Sequence, residues 1–457
     1  MKENSLLIKR VYRVLILFFV FIFVLAIRIP VVQNILLTFA GFLMIQWLVP
    51  MEMKNALFLA YVIRILFLLF NTYAFHLPLL NTGDATMYDS IGLQWSQNGV
   101  EWVLAHFTSG AFMYSWFIAI VYYTFGYNPF IVQFINVMFG TFTIFYVYLI
   151  TEDIFSEEEA LITSYISSIF PSFVYFSLAI LREAPIVFFF TGGVHYFIKW
   201  LKNGSLISLV VSEGMFVLSV GFHTGALVSL FVVFLINLFL LLEWLIRKKK
   251  TYIFQKSAGI FVSLFFIWFE FETRFGFEKL SPLQFPTPPT TISNFLGKLI
   301  ILIKSFLQSL INYINKMQIG YSYGRAVYLP NFVVKSFPDL VLQIPVRLFY
   351  FLFSLFLWMI KEPIDLLGFF DAIFYIIIVV LILLNIKKLV RKKETLFILI
   401  LLFAEFTVFG LITSNYGSAL RHRAKFVGLL IILASPTVKN FLERFNTNVL
   451  WRRNEGT

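Results

Sequence analysis

Three groups of residues in this 457-residue chain have types and spacings that could do chemistry. The first is Asp84, followed at four-residue steps by Tyr88 and Gly92, with Asp89 and Trp95 close by. If a helix starts here, Asp84, Tyr88 and Gly92 share a face. A carboxylate one turn from an aromatic ring suits a general base beside a sugar. It suits equally an N-cap on an ordinary interfacial helix. The second group is Arg421, His422 and Arg423, with Lys425 two residues on. Guanidinium groups bind phosphate bidentately, so these residues are candidate ligands of a lipid phosphate; the structural alternative is snorkelling to headgroups. The third is Arg182 beside Glu183, charges set among apolar residues. They are either a functional site or an ion pair that serves structure alone.

Weaker candidates accompany these. His223 falls at a turn in Gly221-Phe-His-Thr-Gly225. Tyr321, Tyr323 and Arg325 belong to the glycine- and tyrosine-rich stretch 320–328. Tyrosines there suit stacking on sugar rings, and equally an aromatic belt at a membrane interface. Arg64 lies in the middle of an apolar run and must face protein or a polar cavity.

The elements that position these residues follow from composition. The chain is 60% hydrophobic and only 13% charged, and continuous apolar runs of roughly 20 residues recur along it. This is an all-α polytopic membrane protein of about twelve transmembrane helices; the runs do not alternate as barrel strands do. The net charge of +12 gathers at the ends of apolar runs, in residues 2–13, 247–250, 387–393 and 444–453. That is the pattern of cytoplasmic loops and calls for no nucleic acid partner. There are no cysteines, which excludes disulfides and thiolate metal sites. No Walker loop, dinucleotide fingerprint, metal-binding histidine pair or nucleophile elbow is present.

Apolar runs are expected at about 12–29, 31–50 and 55–75, then a first external loop at 76–110 with one or two interfacial helices. Further runs follow at 111–126, 128–150, 160–180, 184–200, 205–221, 223–246 and 257–271. With both termini cytoplasmic, an odd number of crossings must separate the external loop from the basic residues 247–250. The acidic segment 151–159 suits the outside and Lys199 with Lys202 the inside. On that reading 160–200 crosses once, as helices broken near Pro171 and Pro185. An external region at 272–366 contains the proline-stiffened stretch 281–289, a helix at 292–316 and a re-entrant or interfacial segment at 341–360 carrying Arg347. Crossings at 367–386, 395–414 and 424–438 complete the chain, with 414–425 at the outer mouth of the last two. This divides it into two N-terminal helices (1–54), a catalytic module (55–256) and a C-terminal module (257–457).

The pattern resembles the GT-C superfamily of membrane glycosyltransferases, most closely the glycosyltransferase family 39-like proteins. The matching features are Gly83-Asp-x-x-x-Tyr88, Phe125-Gly126, the helix at 133–150, Ile154-Phe155…Ala160, Pro171 and Leu181-Arg-Glu-Ala-Pro185. Asp339, Ile344-Pro-x-Arg347…Trp358 and Gly417-Ser-Ala-Leu-Arg-His-Arg423 are similar to bacterial relatives in surface-polysaccharide settings. The chain departs from many relatives in having Ala85 where a second acid follows the aspartate, and in lacking paired prolines near 111–114.

The resemblance implies a transferase in the cell membrane that moves a hexose or pentose from a polyprenyl-phosphate donor to a glycan or lipid acceptor on the outer face. Asp84 would be the base. Arg421, His422, Arg423 and Arg182 would bind the donor phosphate, and Tyr88, Asp89, Glu183, His223, Tyr321, Tyr323 and Arg325 the substrates. A divalent metal ion is left open as a cofactor. The alternatives are a polymerase of lipid-linked polysaccharide repeat units and a glycolipid flippase. All depend on Asp84 and residues 421–423 sharing one pocket at the non-cytoplasmic surface.

Overall fold

An apolar stretch in lipid must satisfy each backbone N–H and C=O within itself, and here these stretches form helices. The computed structural model describes residues 13, 15–24, 26–75, 83–247, 253–275, 292–322, 324–330, 332–363 and 365–454. For residues 247, 253–256, 271–275, 292–303, 306, 321 and 446–454 it describes the backbone alone. Tyr323 and the proline stretch 281–289 lie outside the described residues, as does the side chain of Tyr321.

After a short apolar helix at Leu15–Val24 come α1 (Pro30–Leu48), α2 (Met51–Tyr73), α3 (Asp84–Ser96), α4 (Val100–Ala105), α5 (Met113–Phe125) and α6 (Pro129–Ile154). Next are α7 (Glu157–Ile169), α8 (Pro171–Phe176), α9 (Glu183–Asn203), α10 (Leu206–Phe222), α11 (Leu227–Arg247) and α12 (Ile253–Phe275). The remainder are α13 (Ile292–Tyr321), α14 (Phe337–Phe353), α15 (Asp365–Leu389), α16 (Lys393–Ile412), α17 (Tyr416–Arg423) and α18 (Val427–Asn454). Among the described residues, extended pairing is confined to one bridge, Val327 with Asn415. Among the described residues, eight helices are long and apolar enough to cross a membrane: α1, α2, α6, α9, α11, α15, α16 and the stretch Tyr416–Phe445. Four shorter apolar helices of 10–17 residues accompany them among the described residues, including α5 and α10. Large apolar side chains such as Ile35, Phe39, Leu66 and Phe67 are exposed on the spans, as a lipid-facing surface requires.

The chain forms two compact units. Unit 1 holds the residues up to Ala226, Leu381–Thr395, and those from Val427 on. Its helix α6, 26 residues long, reaches about 39 Å at 1.5 Å per residue and defines two ends. At one end Lys202 Nζ donates to Asp153 O at 2.7 Å, Lys392 Nζ to Ile154 O at 3.1 Å and Lys393 to Leu201 O, while Lys439 pairs with Glu158 at 2.7 Å. Lysines at the carbonyl ends of α6 and α9 are favoured by the helix dipole.

This arrangement corrects the expected path. The acidic segment 151–159 does not lie opposite Lys199 and Lys202; its charges and carbonyls are matched by lysines at the same end. Residues 157–203 therefore run the length of the unit twice, out through α7 and α8 and back through α9. The helix that stays at one end of unit 1 is α5. At 13 residues it is too short to cross. Both of its ends stay at the other end of the unit: Gly110 N donates to Gly221 O at 2.7 Å, and Phe125 O accepts from Gln33 Nε2 at 3.0 Å.

The break expected near Pro171 is present. Phe170 is extended (φ −62°, ψ 124°), as a residue before proline prefers, and the proline supplies no N–H. Arg64 supplies donors here. Fully buried on α2, its Nη1 donates to Ser168 O at 3.1 Å and Ala60 O at 3.0 Å, and its Nε to Ser177 Oγ at 3.0 Å. Among the described residues its hydrogen-bond partners are all neutral oxygens. Pro185 breaks nothing, since it falls in the first turn of α9, where a missing N–H costs little.

Unit 2 holds Leu227–Val380 and Leu396–Phe426. Ile311, Ile314, Val334, Leu340 and Leu411 form a buried cluster in it. Arg347 is 2% exposed and braces this region, donating to Gln343 Oε1 at 2.6 Å, to Leu411 O at 3.3 Å and to Phe332 O. Helix α14 contains Pro345 and stops at Ser354 after 17 residues, at the lower limit of spanning length.

Candidate functional site

Within unit 1 the end opposite the lysines gathers most of the chemically promising residues. Gly83 occupies the cap position of α3 with φ +61° and ψ −128°, a conformation open to glycine at little cost. Asp84 is thus the first helical residue rather than the cap, and it is exposed. The helix N-terminus favours its carboxylate there. The expected common face is realised only in part: Tyr88 and Gly92 are buried together with Ala85, while Asp84 projects beyond them.

The reason Gly92 is glycine lies in α5. A Cβ added at Gly92 would come 2.3 Å from Ile118 Cγ2 and 2.7 Å from Ile118 Cβ, so glycine lets α3 lie directly on α5. Tyr88 meets Tyr114 of α5 edge-to-face, with centroids 5.5 Å apart. Asp89 accepts hydrogen bonds from Tyr122 and, at 3.0 Å, from Tyr127. Partial burial and the Asp89 charge push the Tyr127 hydroxyl up to about 12.

Arg182 closes the turn between α8 and α9. Its Nη1 donates to Phe222 O at 2.9 Å, and its guanidinium carbon lies 5.9 Å from the centre of the Tyr88 ring. The buried Nε has no hydrogen-bond partner among the described residues. Glu183, beside it, is 1% exposed. His223 caps α10 in extended conformation, and its Nδ1 accepts from Gly225 N at 3.0 Å. Asp84, Tyr88, Asp89, Arg182, Glu183 and His223 thus all belong to unit 1.

Sequence reasoning missed Asn136, which is fully buried on α6. Its Nδ2 donates to Ala179 O at 2.7 Å, Leu181 O at 2.9 Å and Tyr114 Oη at 2.8 Å. The signal was an asparagine inside an apolar span, a residue that needs a polar partner in lipid.

The other candidates form a second cluster in unit 2. The loop before α17 pairs with 326–328: Tyr328 N donates to Ser414 O at 2.8 Å and Tyr416 N to Ala326 O at 2.9 Å. The two polar stretches singled out from sequence, 320–328 and 414–425, are therefore neighbours. Arg325 is committed to Asp365 Oδ2 at 2.6 Å and Glu362 at 3.2 Å, and the Asp365 bond holds its guanidinium above its ordinary value. This ion pair takes up much of the fork expected to bind substrate.

The basic cluster is turned inward. Arg423 is 0% exposed, donates to Leu352 O at 2.8 Å and to Ser354 O, pairs with Asp371 at 3.2 Å and covers the Tyr375 ring at 4.6 Å. His422 stacks on Phe409 at 4.6 Å, with Lys425 Nζ 2.9 Å from its Nδ1. The fully buried Glu405 is close enough to Lys425 to interact with its charge. Positive charge on this face is thus offset by Asp371 and Glu405, acids inside apolar runs that sequence reasoning passed over. Arg421 alone of the expected phosphate-binding trio is part-exposed. No group of three or more His, Asp or Glu side chains among the described residues is arranged to hold a metal ion.

Helices of this length and apolarity, with charged residues gathered at one end, define an integral polytopic membrane protein with a polar site. Residues 109–268 match the model of the dolichyl-phosphate-mannose-protein mannosyltransferase family, which lies within the GT-C superfamily. The chain is a membrane glycosyltransferase of the GT-C type, a class that works on a lipid-linked sugar donor and an acceptor. The matched residues include Asn136, Arg182 and His223 but neither Asp84 nor residues 421–423. No curated protein matches the chain.

Proposed function

We propose that the protein transfers a sugar from a polyprenyl-phosphate donor to an acceptor hydroxyl in cell-surface glycan assembly, with the Asp84 end of unit 1 facing outward. The orientation rests on the lysine-rich opposite end, which the positive-inside tendency makes cytoplasmic. The observation that carries the reading is Arg182 against Tyr88, one turn along α3 from the exposed Asp84 carboxylate.

Asp84 takes the proton of the acceptor hydroxyl as that oxygen attacks the anomeric carbon. The bond from that carbon to the phosphate oxygen breaks, and the electron pair leaves with the lipid phosphate. Arg182 offsets the charge developing there, a term often worth about 3–4 kcal/mol for a well-placed donor. Phosphate needs no protein acid to depart, so one carboxylate suffices and the anomeric configuration inverts. Arg421, part-exposed, remains a candidate phosphate ligand of unit 2, where Arg423 and His422 are buried.

The test is Asp84→Asn, with transfer measured from a polyprenyl-phosphate sugar. Loss of the base should slow turnover by about 10²- to 10⁴-fold at normal protein amounts. Turnover near that of the unaltered protein would remove Asp84 from the mechanism. The same assay with a repeat-unit pyrophosphate lipid separates transfer of single sugars from polymerisation.

A further inference from the structure

We propose that Asn136 is a positioning residue for the donor phosphate site, setting Arg182 against α3 through the turn that precedes it. The inference rests on the reading of Arg182 above. The turn has little regular structure to hold it. Helix α8 ends at Phe176, and Leu181 N donates to Ala179 O at 2.8 Å, two residues back. A buried stretch of this kind leaves carbonyls that need outside donors. Asn136 supplies them from α6, at Ala179 and Leu181, the latter directly before Arg182. The same amide holds the Tyr114 hydroxyl, and Tyr114 is the ring packed on Tyr88. One side chain therefore fixes both partners of the Arg182–Tyr88 contact.

The geometry is demanding. Asn136 and Ala179 are fully buried, and three acceptors surround a group with two N–H bonds. A leucine of similar size would fill the space and leave two buried carbonyls without this donor. An aspartate would set negative charge against them. Either way the turn rearranges and Arg182 loses its place over Tyr88.

The experiment compares Asn136→Ala, Arg182→Ala and the double variant, measuring kcat and KM for a polyprenyl-phosphate sugar together with melting temperature in detergent. Positioning through Arg182 predicts that N136A lowers kcat/KM about 10- to 100-fold, the scale set by displacing a contact by an ångström. The double variant should then be no worse than R182A alone. If N136A and R182A multiply, or if N136A lowers only the melting temperature while kinetics per folded molecule stay normal, the positioning role is overturned. If R182A itself transfers normally, the site reading fails first, which distinguishes the two. Should N136A not accumulate, Asn136→Ser keeps one donor and should show an intermediate loss that also vanishes in the R182A background; persistence of that loss there would equally overturn the proposal.

Discussion

Gly92→Ala is the sharpest probe of how α3 is held. Two effects oppose each other. In a helix interior alanine is favoured over glycine by about 1 kcal/mol. Against this, the new methyl would lie 2.3 Å from Ile118 Cγ2, 2.7 Å from Ile118 Cβ and 3.3 Å from Ser115 O. Carbon atoms rest at about 3.5–4.0 Å, so the nearest contact must open by more than an ångström. Ile118 cannot swing aside easily, being β-branched and 0% exposed. Overpacking of this kind costs about 1–3 kcal/mol and exceeds the helix gain over most of that range. The strain is relieved most directly by moving α3 off α5, which carries Asp84 with it. A shift of about 1 Å at a catalytic group can cost about 10²-fold in rate.

The assay is transfer from a polyprenyl-phosphate sugar alongside melting temperature in detergent. Gly214→Ala serves as the control, because a Cβ there meets nothing within 4 Å. It should leave activity unchanged and stability equal or slightly higher. Adding Ile118→Ala to G92A removes the nearest atom but keeps the Cβ at 2.7 Å, so rescue should be partial. If G92A retains activity within about threefold and melts normally, α3 is not seated through this contact and the placement of Asp84 argued from it is wrong.

Other perturbations follow from the buried charges. Arg64→Leu removes donors from Ser168 O, Ser177 Oγ and Ala60 O, so amide hydrogen exchange over 168–181 should accelerate relative to the unaltered protein; unchanged exchange would show that Arg64 does not brace the break. Arg423→Ala leaves Asp371 buried without this partner, which costs about 3–5 kcal/mol and should appear as lost folded protein. Arg421→Ala, at a part-exposed position, should instead leave the amount of folded protein normal, and an equal loss in both variants would show that burial does not distinguish the two arginines.

How much of this was legible in the sequence can be read from particular residues. Apolar runs of spanning length leave the backbone one way to satisfy itself in lipid, so the helical class and the approximate limits of α2, α6, α9 and α15 followed from composition alone. Pro171 carried its break with it, because a missing N–H and a restricted preceding residue are local properties. Asp84 likewise marked where α3 could start, although the cap position fell to Gly83. Charge was a poorer guide. The acids at 151–159 looked external by sign, yet lysines from distant parts of the chain meet them at one end of unit 1. Residues 421–425 looked like an exposed phosphate clamp, yet Asp371 and Glu405, some twenty to fifty positions away, draw most of that charge inside. Tertiary structure alone decided these points, and it alone joined Asn136 to the Arg182 turn. The physical reason is one of range. Hydrogen-bond satisfaction and proline sterics act within a few residues, whereas the partner of a charge or a buried amide is set by which helices pack together.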